Sequence, residues 1–100
     1  MKSELNELAA FAIVATERSF TRAAARLGVT QSALSHTIRG LERRLELQLL
    51  ARTTKSVTPT SAGAALLMSL SPALEQIDRA LNEVRIARDR PAGRLRIAVS

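Results

Sequence analysis

Residues 30–44, TQSALSHTIRGLERR, carry amide, hydroxyl, imidazole and guanidinium groups at helical spacing. At 100° per residue, Ser32, His36, Arg39 and Arg43 share a sector of roughly 60°, with Ser35 at its edge. Leu34, Ile38, Leu41 and Leu45 occupy a similar sector on the opposite side. The pattern predicts a helix that buries one face and leaves the other free to hydrogen-bond. The free groups suit the edges of bases: Gln31 matches adenine, Ser32 and Ser35 either kind of edge, and Arg39 guanine or a phosphate. Catalysis fits poorly. Ser35 and His36 are adjacent, so on a helix they do not face each other, and no carboxylate from Arg18 to Leu41 could orient the ring. The same lack of acids, with no cysteine in the chain, argues against a metal site at His36. His36 is then either a groove-facing polar group or plain surface, and the chain is expected not to be an enzyme.

The charge pattern agrees. From Arg18 to Thr60, eight Lys or Arg (Arg18, Arg22, Arg26, Arg39, Arg43, Arg44, Arg52, Lys55) stand against Glu42 and Glu46, leaving +6, the whole net charge of the chain. A concentrated basic block points to a polyanionic partner, a solvated charged face being the alternative. Arg43 and Arg44 could equally pair with Glu46 and nearby carboxylates or contact phosphate.

The elements that must position these groups read as follows. Hydrophobic residues make up 46% of the chain, but there are two Phe and no Trp or Tyr, a composition that favours closely packed helices. Leu5, Leu8, Phe11, Ala12 and Ala15 outline a first amphipathic helix, with Ser3 as its expected N-cap. The triplet RSF interrupts it, and a short Ala-rich helix follows from about Thr21 to Leu27, ending before Gly28. Ala23 and Ala24 would let two backbones approach closely, plain helix propensity being the alternative. Thr30 is the expected N-cap of the third helix. A small hairpin is predicted next, with strands near Leu49–Arg52 and Ser56–Pro59 and Thr53, Thr54 and Lys55 at its tip, although no Gly marks the turn.

Thr60 can cap a long fourth helix reaching about Arg88. Leu67, Leu70, Leu74, Ile77, Leu81 and Val84 repeat there at spacings of 3 and 4, the a/d pattern of a helix–helix seam. Pro72 predicts a kink near residues 68–72. After RPAG, the run RLRIAVS alternates as a strand would, with no partner strand following, as at the entrance to another domain. The N-terminal MKSELNELAAF is a poor signal peptide, no apolar run approaches a membrane span, and the absence of cysteine suits a reducing cytosol. Gly40 lies inside the third helix, where either close approach of a DNA backbone or plain tolerance accounts for it.

Helix, helix, glycine turn, helix, with Ala24 and Gly28 four apart and Leu34 six further on, is the helix-turn-helix order. The stretches SFTRAAARLGVTQSALSHTIRGLE, LLARTTKSVTPTSAG, the long helix and GRLRIAV resemble, in that order, the N-terminal part of a LysR-type transcriptional regulator. The resemblance implies a mainly α fold: a winged helix-turn-helix of three helices and a two-stranded wing over residues 1–59, a linker and dimerisation helix over 60–90, and at 91–100 a hinge and first strand of an effector-binding domain. It implies base contacts from Gln31, Ser32, Ala33, Ser35 and His36, with Arg39 nearby, and phosphate or wing contacts from Thr21, Thr30, Thr37, Arg52, Thr54 and Lys55. Double-stranded DNA is the implied partner. A homodimer joined through Leu67, Leu70, Leu74, Ile77, Leu81 and Val84 would set two recognition helices, about 31–45, in successive major grooves of an imperfect inverted repeat. The full-length protein could be a tetramer. No cofactor is implied for this stretch, a small-molecule effector is implied for the C-terminal domain, and the location implied is cytoplasmic. Three departures from the family pattern stand out: His36 where Arg is frequent, Leu50 for a Phe at the wing entry, and Pro59 for a Leu before TSAG. Two other readings compete. The leucine stripe could serve a protein-interaction module without salt-sensitive DNA affinity, or residues 61–90 could lie on a membrane surface, against which Glu75, Asp78, Glu83 and Asp89 argue.

Overall fold

A computed structural model describes residues 2–90, with side chains from Glu4 onward. Its elements are α1 (Lys2–Glu17), α2 (Phe20–Leu27), α3 (Gln31–Leu45), β1 (Leu50–Arg52), β2 (Val57–Pro59) and α4 (Ser61–Asp89). The predicted strand in RLRIAVS lies outside the described residues. Residues to Leu70 form one compact unit and those from Ser71 a second.

Three helices start on a hydroxyl, as the sequence suggested for two of them. Ser19 Oγ accepts from the Arg22 N–H at 3.1 Å, Thr30 Oγ1 from Ala33 N–H at 3.1 Å, and Thr60 Oγ1 from Gly63 N–H at 3.1 Å. Ser3 does not cap α1, which already includes Lys2. With Ser19 as cap, α2 starts at Phe20 rather than Thr21, and the break after α1 shrinks to Arg18 and Ser19. Gly28 closes α2 at φ 71°, and the Val29 N–H reaches the Ala24 carbonyl at 3.0 Å.

The third helix ends at Leu45, as expected from the sequence, but with no glycine to close it. Glu46 takes the left-handed conformation there at φ 56°, while its N–H donates to the Arg43 carbonyl at 3.2 Å and Leu47 N–H to that of Glu42 at 3.1 Å. A side chain in this conformation is strained, by about 1 kcal/mol or more, where glycine is not. Glu46→Gly is therefore expected to stabilise the chain by about 0.5–1 kcal/mol after its greater unfolded entropy is counted. A urea midpoint that stays put or falls, at unchanged slope, would contradict this.

The first unit packs around Phe11 and Val14 of α1, Leu34, Ile38 and Leu41 of α3, Leu49, and Leu50 and Val57 of the hairpin. Each large side chain fully removed from water contributes about 1.5–3 kcal/mol. From α2 the buried residues are Ala23 and Ala24, with Phe20 and Leu27 packed half-buried against the core. Leu50 is 1% exposed and part of this core. Leu5 and Leu45 depart from their predicted apolar faces and are 45% and 40% exposed: each lies near an end of its helix, beyond the reach of the core.

The hairpin pairs Leu50 with Pro59, Ala51 with Thr58 and Arg52 with Val57, antiparallel. Leu49 and Ser56 fall just outside the strands they were predicted to begin. The turn manages without glycine because the Thr53 hydroxyl accepts from Lys55 N–H at 3.2 Å and Ser56 N–H at 2.9 Å. Ala62, Leu66, Leu67 and Leu70 of α4 pack against the core of this unit. In the second unit, α4 continues from Ser71 to Asp89, with Ile77, Leu81 and Val84 exposed and Leu74 half-buried. The six-residue apolar stripe thus divides: Leu67 and Leu70 serve their own fold, and the exposed part begins beyond them.

Candidate nucleic-acid interface

The two faces of α3 meet opposite environments. Leu34, Ile38 and Leu41 are at most 2% exposed, while Gln31, Ser32, Ala33, His36 and Arg39 are exposed and Ser35 and Thr37 half-buried. Gln31, Ser32, Ser35 and Arg39 line one open concavity of about 370 Å³, together with Phe20 at the start of α2 and Arg52 at the end of β1. Ala33 and His36, on the same helix, do not line it. Arg52 joins the parts: its guanidinium lies 4.3 Å from the centre of the Phe20 ring, and its Nη1 donates to Ser35 Oγ at 2.8 Å.

The expected phosphate contacts are less uniform. Thr21, Thr54 and Lys55 are exposed. Thr30 uses its hydroxyl oxygen to cap α3, which leaves its O–H free to donate. Thr37 spends its own donor on the Ala33 carbonyl at 3.0 Å, leaving only oxygen lone pairs to offer. A phosphate, which has no hydrogen to give, would require this hydroxyl to rotate.

The basic block is partly neutralised within the fold. Glu17, at the end of α1, holds Arg26 Nη1 at 2.9 Å and Arg22 Nε at 3.3 Å, and Arg22 Nη2 also donates to the Glu17 carbonyl at 2.6 Å. The hydrogen bond from Arg26, ahead of that from Arg22, holds the Glu17 carboxyl below the usual carboxylate range. Arg44 pairs with Glu7 of α1 rather than with Glu46. Of the eight cations of the basic block, Arg18, Arg39, Arg43, Arg52 and Lys55 form no ion pair among the described residues, and four of these five stand on α3 and the wing.

Two residues with structural weight at this site escaped the sequence reading. Phe20 looked like part of a helix break, and Glu42 like a mere offset to the basic charge. Glu42 Oε2 accepts from the N–H groups of Leu49 at 2.8 Å and Leu50 at 3.2 Å, tying α3 to the start of the wing. Helical period alone signals neither, because their partners lie on other elements.

Three helices, a glycine turn between the second and third, and an antiparallel hairpin after the third define a winged helix-turn-helix. The model of the bacterial regulatory helix-turn-helix proteins of the lysR family matches residues 5–64. The HTH-type transcriptional regulator PgrR of Escherichia coli K12 is 53% identical over 96 residues, 96% of this chain and 32% of that protein. Among solved structures, the BenM DNA-binding domain in complex with catB site 1 DNA superposes with a TM-score of 0.74 at 31% identity, over 87% of this chain and 97% of that one. OxyR of Corynebacterium glutamicum, a C206S mutant with H2O2 bound, gives a TM-score of 0.76 at 32% identity, over 84% of this chain and 26% of that one. The chain belongs to the lysR family of regulatory helix-turn-helix proteins. It spans about a third of the length of the curated relatives it matches.

Proposed function

We propose that this chain is the sequence-specific, double-stranded-DNA-binding part of a transcriptional regulator, residues 1–59 forming the DNA-binding domain and 60–90 the dimerisation helix. The observation that carries the reading is the division of α3: one face is sealed in the core, and the other presents Gln31, Ser32, Ser35 and Arg39 in one concavity beside the uncommitted cation Arg52. Such a face fits a major groove. Gln31, Ser32, Ala33, Ser35, His36 and Arg39 read base edges; Thr21, Thr30, Thr37, Arg52, Thr54 and Lys55 hold the backbone. The chain binds rather than turns over a substrate, and it works in the cytoplasm; no described helix is long and apolar enough to cross a membrane. A small-molecule effector acts on a C-terminal domain of the whole regulator.

Selection of bound sequences from a random duplex pool at two salt concentrations tests this reading. The expected result is a recurring imperfect inverted repeat, with affinity falling steeply as salt rises. On the selected site Gln31→Ala should cost about 1–3 kcal/mol, with little change on random duplex. An equal loss on both would remove Gln31 from the reading set, and no enrichment of any sequence would defeat the proposal.

Two copies associate through the exposed part of the α4 stripe. Ile77 and Leu81 are 47% and 48% exposed, so an aspartate at each leaves the chain's own core untouched. The double variant I77D/L81D is expected to sediment as a folded monomer. A dimer that survives both changes would place the seam elsewhere.

A further inference from the structure

We infer that Phe20 is a positioning residue for DNA binding: its ring, with the Ser35 hydroxyl, holds the Arg52 guanidinium at the edge of the reading face of α3. The inference rests on the DNA-binding reading above. Arg52 ends β1, one residue before the turn, and its long side chain would otherwise sample many directions in solvent. Two contacts from two other elements define its place. The cation lies over the face of Phe20 at 4.3 Å, and Nη1 donates to Ser35 Oγ at 2.8 Å. Neither contact consumes what the site needs. A guanidinium has five N–H donors, so four remain for a phosphate or a base edge. Ser35 accepts from Arg52 with its oxygen and keeps its own O–H to donate. Phe20 follows the cap residue Ser19 directly, so the start of α2 fixes the ring, which is half-buried and packs on the edge of the core. The ring is thus held by the fold, the cation by the ring, and the ordering of Arg52 is complete before DNA arrives.

A double-mutant cycle in DNA affinity separates this role from ordinary packing, using the whole chain and a fluorescein-labelled duplex pool of random sequence. Phe20→Leu keeps an apolar side chain and removes the π face, and it is expected to weaken binding about two- to five-fold. In the Arg52→Ala background the same change should do almost nothing, and Phe20→Tyr, which restores a ring, should recover the affinity. If Phe20→Leu costs as much without Arg52 as with it, Phe20 is only a packing residue and the inference is overturned. Failure of the unsubstituted chain to bind the pool, at about 50 as well as 200 mM salt, instead defeats the DNA-binding reading itself. The native chain offers a second readout should the leucine variant not fold. Stacked on a ring face, the Arg52 side-chain protons should resonate upfield of their random-coil positions, and random-coil shifts for them would overturn the placement.

Discussion

Gly63→Ala is expected to cost about 3 kcal/mol or more, a large part of the 5–15 kcal/mol that holds a domain of this size together. A Cβ at this position would lie 2.0 Å from the Leu49 carbonyl oxygen and 2.9 Å from its carbon. Relief would require backbone to move, and that backbone is fastened from both sides. The Leu49 N–H donates to Glu42 Oε2 at 2.8 Å, and the Leu49 carbonyl accepts from Thr60 N–H at 3.0 Å. The Leu49 side chain is itself 1% exposed. Gly40 is the control, because a Cβ there meets nothing nearer than 3.9 Å. Gly40→Ala should be neutral or stabilise by up to about 1 kcal/mol through helix propensity. Urea unfolding followed by circular dichroism measures both. A Gly63 variant within about 1 kcal/mol of the parent would mean that the first turn of α4 shifts away from Leu49 at little cost.

Glu42→Ala should lose about 2–4 kcal/mol, since it strands two part-buried N–H groups that a charged acceptor now satisfies. Glu42→Gln separates hydrogen bonding from charge. Its amide oxygen can still accept from both Leu49 and Leu50, so a loss of about 1 kcal/mol is expected. The alanine variant should also weaken DNA binding beyond what its stability explains, because β1 carries Arg52 and Glu42 joins β1 to α3. Equal stability of the alanine and glutamine variants would show that the two N–H groups find water instead.

What the sequence disclosed and what it concealed divide along physical lines. Thr30, Gly28 and the period of Leu34, Ile38 and Leu41 act through neighbours a few residues away, so the start of α3, the turn before it and its buried face were legible, whereas the starts of α1 and α2 were not. The free face of α3 followed from the same wheel. Glu46 concealed how α3 ends, though not where, because an acid stands where local rules ask for glycine. Gly63 and Glu42 were opaque for another reason: both meet Leu49, which lies 14 and 7 residues away on the chain. Arg22 and Arg26 read as free cations because only the fold shows Glu17 between them. The leucine stripe read as a single seam, since periodicity cannot tell which turns of a helix the chain's own core will claim.

The partition of α3 bears on how such a domain acquires a new target. Gln31, Ser32, His36 and Arg39 are anchored to nothing else among the described residues, whereas Leu34, Ile38 and Leu41 hold the domain together. On the reading proposed above, drift at the first four positions respells the preferred operator without the architecture having to be solved again. Ser35 is the exception. It is bound to Arg52, so on the same reading a lineage that altered it would revise the vocabulary of the helix and the grip of the wing in a single step.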